Sequence, residues 1–104
     1  MRSVKIRFTA DALSHLNSIY EFLAARNEAA ARRIMFDIRA AAERLCDFHR
    51  MGRQGDTKGT HEWVVRGSPY IIVYEFDELN SEIRVLAVFT AHRIAPNNSS
   101  LAFL

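Results

Sequence analysis

The sequence is poor in the residues that disulfides, membrane spans and metal sites require. It has one cysteine, Cys46, which excludes an internal disulfide and fits the reducing environment of the cytoplasm. No apolar run approaches the roughly 18 residues of a membrane-spanning helix, and charges interrupt the N-terminal letters MRSVKIRF where a signal peptide would be apolar. Cys46 and His49 are too few ligands for a metal site. We therefore expect a cytoplasmic protein with no cofactor, no metal and no membrane partner.

A large charge of one sign is also lacking. The formal net charge is +2, from 14 basic and 12 acidic residues. Twelve of the basic residues are arginines, whose planar guanidinium binds phosphates and carboxylates bidentately. A genome rich in G and C would favour arginine codons as well. The bias therefore permits nucleic-acid or acidic partners without requiring them.

Apolar residues in the first half recur with the periods of one strand and two helices. Residues 3–8 alternate polar with apolar, which predicts a half-buried strand. A helix is predicted from Thr9 and a second from Asn27 to about Gly52, because these residue types are common helix caps and stops. The two apolar stripes at helical spacing are Leu13, Leu16, Tyr20 and Leu23, and then Ala30, Ile34, Ile38, Ala41, Leu45 and Phe48.

The second half has the pattern of a loop followed by strands. Residues 52–60 hold three of the four glycines and show no period. The connections between the strand-like runs are too short for parallel pairing. The order β-α-α-β-β-β predicts an α+β fold, in which a helical hairpin packs on a small, mainly antiparallel sheet. We expect a single domain over residues 1–104, with 94–104 as a tail. The three strand-like runs are 61–66, 70–76 and 82–90.

The last two predicted strands are apolar on both faces. An antiparallel sheet usually needs one apolar face, and the helical hairpin can cover only one. The second apolar face therefore predicts an external partner, with the tail letters SSLAFL as the alternative cover. Alternation places Tyr70, Ile72, Tyr74 and Phe76 opposite Ile71 and Val73, and it places Ile83, Val85, Ala87 and Phe89 opposite Leu86 and Val88.

Several motifs together resemble the RelE/ParE superfamily of toxin–antitoxin toxins. They are the β-α-α-β-β-β order, the letters GRQG, a Thr-x-Glu before a strand, and PYIIVYEF. Their order and spacing are most similar to the ParE-type branch over the chain up to Arg93, with His61 where the family usually has arginine. The resemblance implies a RelE/ParE-like fold and one of two activities. RelE-type members cleave mRNA on the ribosome, whereas ParE-type members inhibit DNA gyrase.

The residues at the family's nuclease positions favour the gyrase activity. Metal-free RNA cleavage needs donors that stabilise the phosphate charge, together with an acid/base. RelE-type enzymes carry an arginine where this chain has Ile71, and some carry two lysines where it has Glu62 and Val64. The late acid/base could only be His92, with Arg93 beside it. Because neither isoleucine nor a carboxylate binds a phosphate, nuclease chemistry is disfavoured.

The leading hypothesis is a ParE-like toxin that binds DNA gyrase, has no catalytic residue and is neutralised by a cognate antitoxin. The antitoxin would lie on the apolar sheet face and the helical hairpin. Two alternatives stay open. One is a ribosome-dependent mRNA endonuclease, an enzyme that would use His92, Arg93 and Arg53 on ribosome-bound mRNA. The other is a non-toxic binding module with the same fold. The candidate partner-binding residues are Arg53, Trp63, Arg66, Ile71, Val73, His92 and Arg93.

Overall fold

The computed structural model describes residues 3–90, and its first three elements are those that the periodicity predicts. Thr9 caps the first helix, because its Oγ1 accepts a hydrogen bond from the Ala12 N–H at 3.1 Å. Asn27 caps the second in the same way, accepting from the Ala30 N–H at 3.1 Å. Neither helix is long and apolar enough to cross a membrane. The elements are strand β1 (Lys5–Phe8), helix α1 (Ala10–Ala24) and helix α2 (Glu28–Asp47).

The other elements are strands, and all five strands of residues 3–90 form one sheet. The spatial order is β1-β5-β4-β3-β2, with β1 parallel to β5 and every other pair antiparallel. The predicted α+β fold is therefore confirmed. The prediction of an unpaired loop after α2 is wrong at one point, because the two-residue β2 lies within it. The remaining strands are β2 (Arg53–Gln54), β3 (His61–Val64), β4 (Tyr70–Asp77) and β5 (Glu82–Thr90).

The helical hairpin packs on one face of the sheet, and the hydrophobic core lies between these two layers. Each buried side chain of this kind contributes about 1.5–3 kcal/mol relative to an exposed one. Trp63 packs against the same core from the margin of the sheet. The largest fully buried side chains of the two layers include Ile19, Ile38, Leu45, Ile72 and Tyr74.

A β-bulge in β5 changes which residues of that strand face the helices. The register pairs Tyr74 with Val85 and then Val73 with Ala87, which leaves Leu86 as an extra residue. An extra residue shifts the alternation of side chains by one position beyond it. Before the bulge, the odd-numbered residues of β5, such as Ile83 and Val85, face the helices. After it, the even-numbered Val88 does so.

The bulge corrects the faces predicted for the last strand. Val88 was predicted to oppose Ile83 and Val85, but it lies with both of them in the helix-side core. Phe89 is buried outside that core cluster. The Val88 N–H donates to Nδ1 of His15 at 3.2 Å, which ties the shifted part of β5 to α1. Strict period-two alternation contains no signal for such a shift.

The hydroxyl of Tyr74 joins the sheet to the chain that follows α2. It accepts a hydrogen bond from the Gly52 N–H at 3.0 Å and donates one to the His49 carbonyl at 2.9 Å. Burial raises the pKa of Tyr74 and outweighs the hydrogen bond from Gly52, so the phenol stays protonated and able to donate. The chain leaves the helix to make these contacts. As a result α2 ends at Asp47 rather than near Gly52, and Phe48 is 56% exposed rather than part of the apolar stripe.

Two glycines of the GRQG motif stand where no side chain fits. A Cβ on Gly52 would lie 2.6 Å from the Tyr74 hydroxyl and 2.8 Å from the Glu62 carbonyl oxygen. A Cβ on Gly55 would collide with Oγ1 of Thr60. These close approaches of the backbone bring the two residues between the glycines into register with β3. The motif is therefore a steric requirement for β2.

We predict that Tyr74→Phe lowers the free energy of unfolding by about 1–3 kcal/mol. The substitution keeps the ring but leaves the Gly52 N–H and the His49 carbonyl without their partner. Urea denaturation followed by circular dichroism measures the change. Tyr70→Phe is the matched control, since Tyr70 is also buried but its hydroxyl makes no hydrogen bond within residues 3–90. Equal losses in the two variants would contradict this role for Tyr74.

We predict that Gly52→Ala destabilises the fold by about 1–3 kcal/mol, because the added methyl overpacks a buried contact. The same denaturation measurement applies. Gly59→Asn is the control: nothing lies within 4 Å of a Cβ at Gly59, and asparagine tolerates its positive φ. A Gly52→Ala variant as stable as this control would show that the close approach is not required.

Candidate functional site

The sheet face that points away from the helices carries an apolar row across three strands. Val64 of β3 pairs with Ile71 of β4, and Ile71 pairs with Phe89 of β5. We call these three residues the apolar row. Ile71 and Phe89 are each 5% exposed, whereas Val64 is 52% exposed. Most of the open surface of the row therefore belongs to Val64, and Ile71 offers a partner less surface than the sequence led us to expect.

The next row on this face holds an ion pair at the edge of the sheet. Glu62 of β3 lies beside Val73 of β4, and Val73 lies beside Ala87 of β5. The Arg53 guanidinium of β2 is 3.2 Å from the Glu62 carboxylate. The Arg53 side chain is 77% exposed, and that of Glu62 is 11% exposed. Arg53 thus neutralises Glu62 and keeps most of its own surface open.

The other half of the same face is charged, and three carboxylates surround its central arginine. Arg84 donates to Glu75 at 2.6 Å, to Glu82 at 2.9 Å and to Asp77 at 3.1 Å. Hydrogen bonds from Asn80, with a further one from Arg84, lower the pKa of Asp77. The three carboxylates raise the pKa of Arg84 in turn. Arg84 is therefore bound by its own neighbours and is not available to a phosphate group.

Within residues 3–90, strand β3 has a free edge beyond Arg53, the first residue of β2. The Gly55 N–H donates to the Thr60 carbonyl on the β2 side, whereas the Val65 N–H donates to the Tyr70 carbonyl on the β4 side. Successive residues of a strand direct their backbone groups to alternate sides. Val64 therefore directs its N–H and C=O towards the side that β2 leaves uncovered.

Two depressions border this free edge and share Met51 and Trp63. The smaller, about 250 Å³, reaches the apolar row, and we call it the edge cavity. The larger, about 580 Å³, reaches α2, and we call it the arginine groove. The edge cavity is also lined by Arg53, Glu62, Val64 and Ile71. The arginine groove is also lined by Arg33, Asp37, Ala40, Ala41, Arg44, Val65, Arg66 and Gly67.

Four of the residues selected from the sequence meet at these depressions. Arg53, Trp63 and Ile71 line the edge cavity, and Trp63 and Arg66 line the arginine groove. Val73 lies one row away on the same sheet face. The other two selected residues, at positions 92 and 93, lie outside the described residues.

Met51, Val64 and Arg44 also belong to this region, and the sequence did not single them out as partner-binding residues. Arg44 carried a usable signal, because it follows Arg33 and Asp37 at helical spacing on one face of α2. Val64 and Met51 carried none. Their importance comes from the start of β2 at Arg53, opposite Glu62, which sequence periodicity does not predict.

His61 occupies the position where the resemblance described above implies an arginine. Its ring packs on Tyr74 with centroids 5.4 Å apart, and the nearby His49 ring stacks on Phe76 at 3.9 Å. Within residues 3–90, Nδ1 of His61 is buried and has no hydrogen-bond partner. The position therefore contributes packing around Tyr74 in this chain.

Residues 6–95 match the family model for the ParE toxin of the type II toxin–antitoxin system parDE. A protein of Sinorhizobium fredii (strain NBRC 101917 / NGR234) named "Putative toxin Y4kP" is 32% identical over 96 residues. That alignment covers 92% of this chain and 97% of the relative. Both matches extend over nearly the whole chain.

Solved structures with low sequence identity share the fold. A chain of the chromosomal ParDE system from P. aeruginosa aligns with a TM-score of 0.75 at 18% identity, covering 85% of this chain and 96% of that one. A chain of the intact E. coli RelBE toxin–antitoxin complex aligns with a TM-score of 0.60 at 14% identity, covering 88% and 100%. The helical hairpin on a five-stranded sheet is thus the architecture of known toxins.

We predict that Arg53→Ala changes the free energy of unfolding by less than about 1 kcal/mol, because the Arg53 guanidinium is exposed and solvent screens its attraction to Glu62. Urea denaturation of Arg53→Ala beside Glu62→Gln measures this. A loss of more than about 2 kcal/mol would assign Arg53 a structural role. With stability retained, any loss of binding or toxicity in Arg53→Ala reports a contact made by its guanidinium.

Proposed function

The chain belongs to the ParE toxin family of type II toxin–antitoxin systems, and from this we propose that it acts by binding DNA gyrase and blocking its activity. The proposal makes the chain a binding protein without catalytic residues. It places the chain in the cytoplasm, where gyrase and a cognate antitoxin would both be present.

The apolar row is the observation that carries this proposal. In a nuclease of this fold, the centre of the sheet face would need cations to stabilise the charge on the reacting phosphate. Here that centre holds Val64, Ile71 and Phe89 in adjacent strands. Removing one charge-stabilising donor typically costs about 10²–10³ in rate. A face whose central donors are replaced by apolar side chains supports protein binding in place of phosphate chemistry.

The charged groups around the apolar row also favour a protein partner over RNA. Glu62 stands where some nucleases carry a lysine, and its partner Arg53 already neutralises it. Arg84 is held by three carboxylates on the far side of the face. Neither group leaves a cation directed at the centre of the sheet, so the surface suits an apolar partner better than an RNA backbone.

An antitoxin is the second partner that we propose. The similar solved chains come from a ParDE system and from a RelBE toxin–antitoxin complex. This chain offers the exposed Val64 at the end of the apolar row and a free strand edge, two features that bind extended or helical peptide segments in other proteins. The antitoxin would cover both and so block the toxin.

We predict that the purified chain inhibits supercoiling by DNA gyrase and does not cleave mRNA on ribosomes. The two assays are run on the same preparation, with Tyr70→Phe as a folded reference variant. Cleavage of ribosome-bound mRNA that is lost on His92→Ala, together with unaffected supercoiling, would replace this proposal with the nuclease. Normal growth of cells that express the chain alone would favour the non-toxic binding module.

We predict that Val64→Lys weakens binding of the cognate antitoxin by about tenfold or more, because it places a charge in an apolar contact. The antitoxin is first identified as the product of the neighbouring reading frame that restores growth. Isothermal titration then compares wild type with Val64→Lys and with Leu79→Lys, a matched change at a turn residue that is 96% exposed. Equal affinities for all three proteins would exclude the apolar row from the antitoxin interface.

A further inference from the structure

We propose that the free edge of β3 and the arginine groove together bind one extended segment of the antitoxin, and that this segment alternates apolar with acidic side chains. The inference rests on the proposed toxin function and specifies the chemistry of its partner. Three features of the structure carry it: the backbone groups of the edge, two arginines that form no ion pair within residues 3–90, and the placement of one depression on each side of the edge.

The backbone of β3 can accept an additional strand. Strand β2 pairs only with the first half of β3, through Arg53 beside Glu62 and Gln54 beside His61. Beyond this point Val64 directs its N–H and C=O to the uncovered side. An edge of this kind pairs with an extended peptide through main-chain hydrogen bonds. Such a segment would continue the line of β2 along β3.

The arginine groove has an excess of positive charge on its walls. Arg33 is 3.9 Å from Asp37 and is paired with it. Arg44 on α2 and Arg66 after β3 form no ion pair within residues 3–90, so two guanidinium groups remain available. A guanidinium binds a carboxylate in a bidentate geometry. The charge of the groove is therefore complementary to an acidic partner.

The two depressions determine which side chains of the antitoxin segment are apolar and which are acidic. Successive side chains of a strand point to opposite faces of the sheet. On one face they would reach the edge cavity, which is lined by Met51, Val64 and Ile71 and is mostly apolar. On the other face they would reach the arginine groove, with Arg44 and Arg66 on its walls. The matching sequence is an alternation of apolar and acidic residues.

A polypeptide fits these features better than a nucleic acid. A phosphate backbone could bind the arginines, but it has no groups that pair with a strand edge in a regular ladder. Single-stranded DNA is therefore the competing ligand that the experiment must exclude.

The test measures how tightly the antitoxin that restores growth binds variants of this chain. Trp63 is the single tryptophan and contributes to both depressions, so its fluorescence reports on this site if the antitoxin segment used contains no tryptophan. We expect Arg44→Glu with Arg66→Glu to weaken binding by about tenfold or more. Arg39→Glu is the matched control, because Arg39 lies on α2 outside the groove and pairs with Glu43.

Arg66→Glu is tested alone as well, since it lies outside the helices and keeps the experiment informative if the double variant unfolds. Binding by wild type should also weaken as ionic strength rises from about 0.05 to 0.3 M.

Equal affinity of wild type, Arg66→Glu and the double variant for the antitoxin would overturn the inference and leave the toxin function intact. Tighter binding of an oligothymidylate than of the antitoxin at this site would overturn it too. An inability of the chain to arrest growth would reject the function itself.

Discussion

The buried hydroxyl of Tyr74 is the contact on which the candidate binding region depends. One hydrogen bond from it fixes the end of α2 through His49, and another fixes Gly52 at the start of β2. Because Gly52 must approach so closely, β2 enters the sheet at one defined register and begins at Arg53, opposite Glu62. That start leaves the edge of β3 after Glu62 uncovered within residues 3–90 and places Arg53 beside Glu62. A single phenol on the core side of the sheet therefore determines the geometry of the region where we place the partner.

The two faces of the sheet differ in chemistry, because successive side chains of each strand point to opposite faces. On the helix side, Tyr74 and Val88 are part of one continuous core. On the other side, the apolar row lies at one end of the face, and Arg84 with the three carboxylates that bind it lies at the other end. Chemistry on RNA would need free cations in the place of that row. The arrangement suits a protein partner.

Much of the fold follows from the sequence, and the failures have physical causes. Thr9 and Asn27 marked the helix starts, because their side chains supply the caps that the first turns need. The bulge at Leu86 was missed, since one extra residue leaves no trace in composition. The end of α2 was placed too late because its true end is set by Tyr74, far away in sequence. The site was predicted in part: Arg53 and Trp63 were found from motifs, whereas the role of Val64 follows only from the register of β2.

Amide hydrogen exchange, measured residue by residue on the free chain and on its complex with the antitoxin, tests the central claim most directly. The account predicts that the Gly52 amide exchanges slowly in both samples, because Tyr74 holds it in the buried interior. It predicts that the Val64 amide exchanges rapidly in the free chain and becomes protected in the complex. A Val64 amide that is already protected in the free chain, or that stays unprotected in the complex, would contradict the assignment of this strand edge as the binding site.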